Sequence, residues 1–255
     1  MNASSQTIFE PVPEHILHSL HAATQPAPPA GASSSAPTDG RQQTTGNSAA
    51  LTVLQVASIF PGTPVANIAA NLPHVLAALA AASLADAPML LVALGTIAAE
   101  AASFLPVTEQ PSRFNTSPAG PPFDLYDRRG DLGNQGPPDG FRFRGRGFVQ
   151  LTGRANYAHY APLVHQPLLA NPDLAAEPAT AATLLARFLA DREHAIRRAL
   201  AAPAPAGPDL ARARRLVNGG SNGLDRFAAV YRAGSQLLAS NRPDGPNPSR
   251  TAKNA

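Results

Sequence analysis

Six stretches of the chain carry apolar residues at helical spacing, and each is bounded by proline or glycine. "LTVLQVASIFPG", from Leu51, predicts a short helix stopped by Pro61-Gly62. A second helix is expected from Pro73 to about Leu84, and a third from Met89 to Phe104, ended by Pro106. Pro178 opens a long segment, "PATAATLLARFLADREHAIRRALAA", whose Leu184, Leu185, Phe188, Leu189, Ile196 and Leu200 form one apolar stripe. Pro208 opens a further helix that closes at Asn218-Gly219-Gly220, and the last covers about Leu224 to Leu238. Between Leu105 and Gly147 the pattern has no period and is rich in Gly and Pro; a loop of that length inside a domain usually serves function. Phe148, Val149 and Leu151 then make a short strand-like run. The pattern predicts an all-α fold with long loops and room for a small β element.

Composition sets the boundaries. Residues 23–50 are rich in Pro, Ala, Ser, Thr and Gly without a large apolar side chain, so they cannot bury enough surface to offset the entropy of ordering. Residues 1–50 and 241–255 are therefore expected to be disordered, leaving one globular domain over 51–240. The apolar share of the 255 residues, 44%, is enough for a core in such a unit. The N-terminus has neither a basic n-region nor an apolar h-region, so no classical signal peptide is read there. The longest central apolar run, Ala87 to Ala99, is too short to span a bilayer and suits a buried helix.

There is no cysteine, and the seven histidines, including the His15, His18, His21 series, show no ligand spacing with acids or each other. No metal, cofactor or disulfide is expected. Charge is uneven: Leu51 to Gln110 holds no cation, whereas Arg113 onward is arginine-rich. A basic half of that kind would favour association with an acidic polymer, whether nucleic acid or anionic cell wall.

Only six glutamates occur, and two of them, Glu100 and Glu109, lie nine residues apart in "TIAAEAASFLPVTEQ". Glu100 sits near the end of an uncharged apolar helix, where the surroundings disfavour a charged carboxyl and suit a general acid. Pro106 breaks the helix, so the chain can turn and bring Glu109 to face Glu100 across a cleft. Two carboxylates in unlike environments are what glycoside hydrolysis needs.

Further on, "FRFRGRGFVQLTGRANY" begins like an arginine-glycine nucleic-acid tail but is a single block inside a folded unit, so no nucleic-acid partner is expected. With "YDRRGDLGN" and "PDG" before it and "LLANPDLAAEP" and "NGGSNGLDR" after it, the block closely resembles the family 19 glycoside hydrolases, the chitinases and the related bacterial and phage endolysins. The resemblance runs from about Leu51 to Tyr231 and implies a lysozyme-like domain in two lobes. It implies Glu100 as the general acid, Glu109 as the general base, and Thr152 as the hydroxyl that holds the attacking water. Gln150 would line the cleft, and Asn156, Tyr157, Asn218 and Arg226 would bind sugar or orient the carboxylates.

The chain departs from the family at Ala99, where a histidine is usual, at Ala101-Ala102-Ser103 in place of Thr-Gly-Gly, and at Asp127 in place of Glu. Restoring the histidine by Ala99→His is expected to raise activity where that group supports the acid, at the risk of overpacking the helix. The resemblance implies inverting hydrolysis of β-1,4 bonds in an N-acetylhexosamine polymer by a monomer, peptidoglycan before chitin. The rival of another class is a degenerate glycan-binding module. A wall hydrolase without a signal peptide would reach its substrate after release or export by another route.

Overall fold

The computed structural model describes residues 51–201 and 207–240; the segments expected to be disordered, and the first three histidines, lie outside the described residues. Helix α1 (Val53–Ile59) starts with a capping box in which Thr52 and Gln55 satisfy each other's backbone N–H groups. Helix α2 (Val65–Ala81) opens after Pro64 and carries Pro73 in its interior, not at its first turn as the pattern suggested. Pro73 and Ala69 are both exposed, so the carbonyl that loses its partner at the proline faces water. Ser83, at φ 60°, then reverses the chain while Leu84 N donates to Leu79 O at 2.8 Å.

Helix α3 (Ala87–Glu100) is capped by Asp86, whose carboxylate accepts from Met89 N, and all residues from Met89 to Ala98 are buried. It stops at Glu100, four residues before the expected end, because the chain turns at Ala101 and Phe104 takes a positive φ of 58°. Thr63 Oγ1 donates to Ala102 O at 2.7 Å and Asn67 Nδ2 to Ser103 O at 3.0 Å, so the first turn of α2 and the segment just before it clamp that turn. Phe104, packed edge-on to Phe60 and Phe148, plugs it from inside.

Beyond the turn, β1 (Val107–Thr108) pairs antiparallel with β2 (Arg146–Gly147), Val107 opposite Gly147 and Thr108 opposite Arg146. Between the strands lie two 3₁₀ turns, Asp124–Tyr126 and Gly130–Leu132, and a one-turn helix α4 (Asp139–Arg142). Helix α5 (Arg154–Leu163) follows. The segment after Pro178 is two helices, α6 (Pro178–Ala190) and α7 (Glu193–Leu200), and not one. Helices α8 (Leu210–Asn218) and α9 (Leu224–Ser240) close the described chain.

Among the described residues the fold is all-α apart from that two-stranded ribbon. Helix α3 lies at the centre, packed along α9, while α2 packs along α6. The α3–α9 crossing depends on two glycines: a Cβ at Gly95 would come within 2.8 Å of Phe227, and one at Gly234 within 2.3 Å of Leu91. One large apolar cluster fills the bundle, and a satellite of Phe123, Tyr126 and Leu132 sits under the 105–147 stretch. The described helices thus bury their apolar faces against one another. Deleting residues 1–48 is expected to shift Tm by no more than about 2 °C, within the usual range for surface changes in a domain of this size. Differential scanning calorimetry checks this, and a larger fall would place part of the core before Leu51.

Candidate active site

Glu109 is buried, and three donors hold it. Asn115 Nδ2 donates to its Oε1 at 3.0 Å, Tyr126 OH donates to the same oxygen at 2.9 Å, and Gly145 N donates to Oε2 at 2.9 Å. Its own N–H donates to Gly145 O at 2.8 Å, so the carboxylate is fixed at both backbone and side chain. Burial, with the Glu109 carboxylate alongside, pushes the Tyr126 phenol well above its ordinary value. The phenol therefore remains a donor at any working pH.

Gly145 is where the site converges. A Cβ there would lie 2.8 Å from Gln150 Oε1, 3.0 Å from Glu109 Oε2 and 3.2 Å from Thr152 Oγ1, so only glycine leaves the three oxygens room. Gln150 takes φ 50° and anchors itself by donating from Nε2 to Val107 O and Gly147 O, both at 3.0 Å. That leaves Gln150 Oε1 buried without a partner. Thr152 Oγ1 donates to Gln150 O at 2.8 Å, and its lone pairs remain available.

Glu100 has a different setting. Its side chain is 3% exposed, and Oε1 accepts from Nη2 of Arg214, whose side chain is 0% exposed, at 2.6 Å. Arg214 Nε donates to Asn222 O at 2.8 Å. Glu100 Oε2 and Arg214 Nη1 are buried without partners. The expected all-apolar surroundings of Glu100 thus contain a buried cation.

The remaining site residues divide between the two clusters and the scaffold. Asn156 is buried, and its Nδ2 donates to Thr152 O at 2.7 Å, which steadies the threonine. Tyr157 is 0% exposed, accepts from Arg146 Nη1 and donates to Arg144 O, both at 2.9 Å. Burial pushes its phenol up to about 12. It has no surface for sugar and acts on the site through the backbone before Gly145. Asn218 lies one turn after Arg214 on α8; its Oδ1 accepts from Gly220 N at 3.0 Å, and Nδ2 is buried without a partner. Arg226 is exposed on α9, and the guanidinium on Glu100 belongs to Arg214.

Sequence reasoning passed over three groups of this site: Arg214, Asn115 and Tyr126. Arg214 had a signal, because it falls in the buried stripe Leu210, Ala213, Arg214, Val217 of α8. A cation on an apolar face needs an acid. Asn115 and Tyr126 lie in the aperiodic stretch and carry no local signature.

The motif residues of that stretch are mostly scaffold. Asp127 Oδ1 accepts from Gly140 N, Asn134 Nδ2 donates to Tyr126 O, and Asn134 Oδ1 accepts from Arg154 N at the start of α5. Asp139 holds Arg154 through both carboxylate oxygens. Arg146, 2% exposed, pairs with Asp173 at 2.8 Å and also donates to Arg142 O and Arg144 O.

Ala99 is in close contact with the α8–α9 turn. A Cβ at Gly223, itself at φ +67°, would lie 2.8 Å from Ala99 Cβ. A histidine at 99 would press on that turn, so Ala99→His is expected to cost about 1–3 kcal/mol and to leave activity no higher. This replaces the gain expected from the family pattern. Thermal melting beside a turnover assay decides between the two outcomes.

No protein-family model and no curated protein sequence matches the chain. The chain is similar to the crystal structure of a chitinase C mutant, at 19% identity over 79% of this chain and 80% of that one, with a TM-score of 0.49.

Proposed function

We propose that the chain is a lysozyme-like glycoside hydrolase that cleaves β-1,4 bonds of an N-acetylhexosamine polymer with inversion. The observation that carries this reading is the convergence of Glu109 Oε2, Gln150 Oε1 and Thr152 Oγ1 at Gly145. A water there meets a fixed carboxylate, a buried carbonyl acceptor and a hydroxyl, which can orient it and take its proton. Glu109 is the base: the water oxygen attacks the anomeric carbon as its proton passes to the carboxylate. Glu100 is the acid: it protonates the departing glycosidic oxygen from Oε2 while Oε1 stays on Arg214. Gln150 and Thr152 hold the water. Asn156 steadies Thr152 and Tyr157 steadies the backbone before Gly145, while Asn218 offers a free amide N–H one turn along α8 from Arg214.

Peptidoglycan is the preferred substrate because the "DLGN…PDG…GRG" pattern resembles the endolysin branch; chitin is the alternative. Inversion requires carboxyl groups about 6.5–9.5 Å apart with the water between them. The first product should then be the α-anomer, read by proton NMR in the first minutes of digestion. An initial β-anomer would mean a double displacement and a different role for Glu109.

A second reading is favoured by one observation: the ion pair that ties Glu100 to Arg214 suits a structural group at least as well as a proton donor. With Ala99 in place of the family's histidine, it describes a glycan-binding module without turnover. Such a protein would retain sacculi and release nothing from them.

A further inference from the structure

We propose that Phe141 and Arg144 form an outer subsite for a glycan strand that carries carboxylates, the feature that separates peptidoglycan chemically from chitin. This rests on the glycan-hydrolase reading and narrows its substrate class. Phe141, at the end of α4, is 48% exposed, although the ring is held in place. Phe123 meets it edge-on at 6.0 Å, and the Arg144 guanidinium carbon lies 4.3 Å from its centroid. One face of the ring is thus covered by the cation, and the exposed part is left to stack on the C–H face of a pyranose.

Arg144 is short of partners. Among the described residues its guanidinium makes one hydrogen bond, from Nη1 to Phe141 O at 2.7 Å, and no ion pair. By contrast Arg146 has Asp173, and Arg154 has Asp139. Burial, followed by the like charge of Arg146, pushes the Arg144 guanidinium below its ordinary value. Glu109 and Asp173 face it from a distance, but the first is held by its three donors and the second by Arg146. An incoming carboxylate would offset that cost and find N–H donors in fork geometry.

The pair also lies beside the proposed reaction centre. Gly145, the next residue, donates to Glu109 Oε2. Phe141 is four residues from Gly145, a reach of at most about 14 Å along the chain. A strand of a few sugars bridges that distance.

The test measures binding to insoluble sacculi and to colloidal chitin in the Glu109→Gln background, where the polymer should survive. Arg144→Gln should weaken sacculus binding roughly tenfold, remove most of its salt dependence, and leave chitin binding unchanged. Phe141→Leu keeps apolar packing but loses the ring, so it should weaken binding to both polymers, and Phe141→Trp should restore it. Arg144→Gln binding sacculi like its parent, or losing equally on both polymers, overturns the proposal. So does Phe141→Leu binding like its parent, or a parent that binds neither polymer. Hydrolysis by the wild type is scored separately: specific binding without cleavage sinks the hydrolase and keeps the subsite, whereas cleavage indifferent to both positions does the reverse.

Discussion

Arg214→Met is expected to unfold about 6–20 °C below the wild type, the equivalent of roughly 3–5 kcal/mol in a domain of this size. The physical reason is the charge left behind. Arg214 and Glu100 are both almost fully buried and share a 2.6 Å contact, so removing the cation strands a carboxylate among the side chains of α3 and α8. Arg226→Met provides the contrast, because Arg226 is exposed and its loss should fall within about 0.5 kcal/mol. The double change Glu100→Leu/Arg214→Met should recover most of the lost stability, since an apolar pair of similar volume replaces the buried ions without their desolvation. Melting curves of the four proteins test the assignment. Equal shifts for Arg214→Met and Arg226→Met would contradict it.

Glu109→Gln should lower turnover about 10²–10⁴-fold, the range supplied by a positioned acid or base. Its cost in stability is expected to be about 1–3 kcal/mol. An amide at 109 keeps one carbonyl oxygen for Asn115 and Tyr126 but then presents N–H to the Gly145 N–H, or the reverse if it turns over. Glu100→Gln should abolish hydrolysis as well. In the uncharged surroundings that the sequence implies for Glu100, the isosteric amide would fold almost as the wild type does. The buried Arg214 changes that expectation: the amide oxygen still accepts from Nη2, but the cation loses its counter-charge, so a Tm fall of several degrees accompanies the lost activity. Each variant is therefore assayed well below its own melting point, with glycan binding as the measure of an intact surface.

Much of the helical framework was legible because its elements carry their own boundaries. Helix α3 is an uncharged run with Asp86 to cap it, and α8 ends at Gly219, which takes φ 71°. The errors have particular causes. Helix α5, "RANYAHYAPL", buries only Asn156, Tyr157 and Tyr160, so it shows no apolar stripe to mark it. The segment after Pro178 breaks at Asp191–Arg192, where a contact remote in sequence intervenes: Tyr160 OH donates to Asp191, while Arg192 folds back over the Phe188 ring four residues earlier. Past that break, Arg197 of α7 reaches Asp86 with both guanidinium nitrogens. Periodicity cannot register a partner that far along the chain.

The candidate site was legible only in part. Glu109, Gln150 and Thr152, which the sequence resemblance singles out, approach one another at Gly145. The groups that fix Glu109, namely Asn115 and Tyr126, come from a stretch whose order depends on a three-residue apolar satellite and a set of polar contacts. Such contacts have no sequence period. Arg226 was implied by the resemblance alone, whereas burial on α8 points to Arg214.

The central claim is that Glu100 and Glu109 hydrolyse an N-acetylhexosamine polymer, and release of soluble fragments from purified sacculi tests it most directly. The assay sets wild type beside Glu109→Gln, with colloidal chitin in parallel, from acidic to neutral pH. The expected result is fragment release by the wild type, faster from sacculi than from chitin, and release by Glu109→Gln lower by about 10²-fold or more while it still binds the polymer. Folded wild-type protein that binds sacculi but releases nothing from either polymer at any pH would contradict the claim and leave a glycan-binding module in its place.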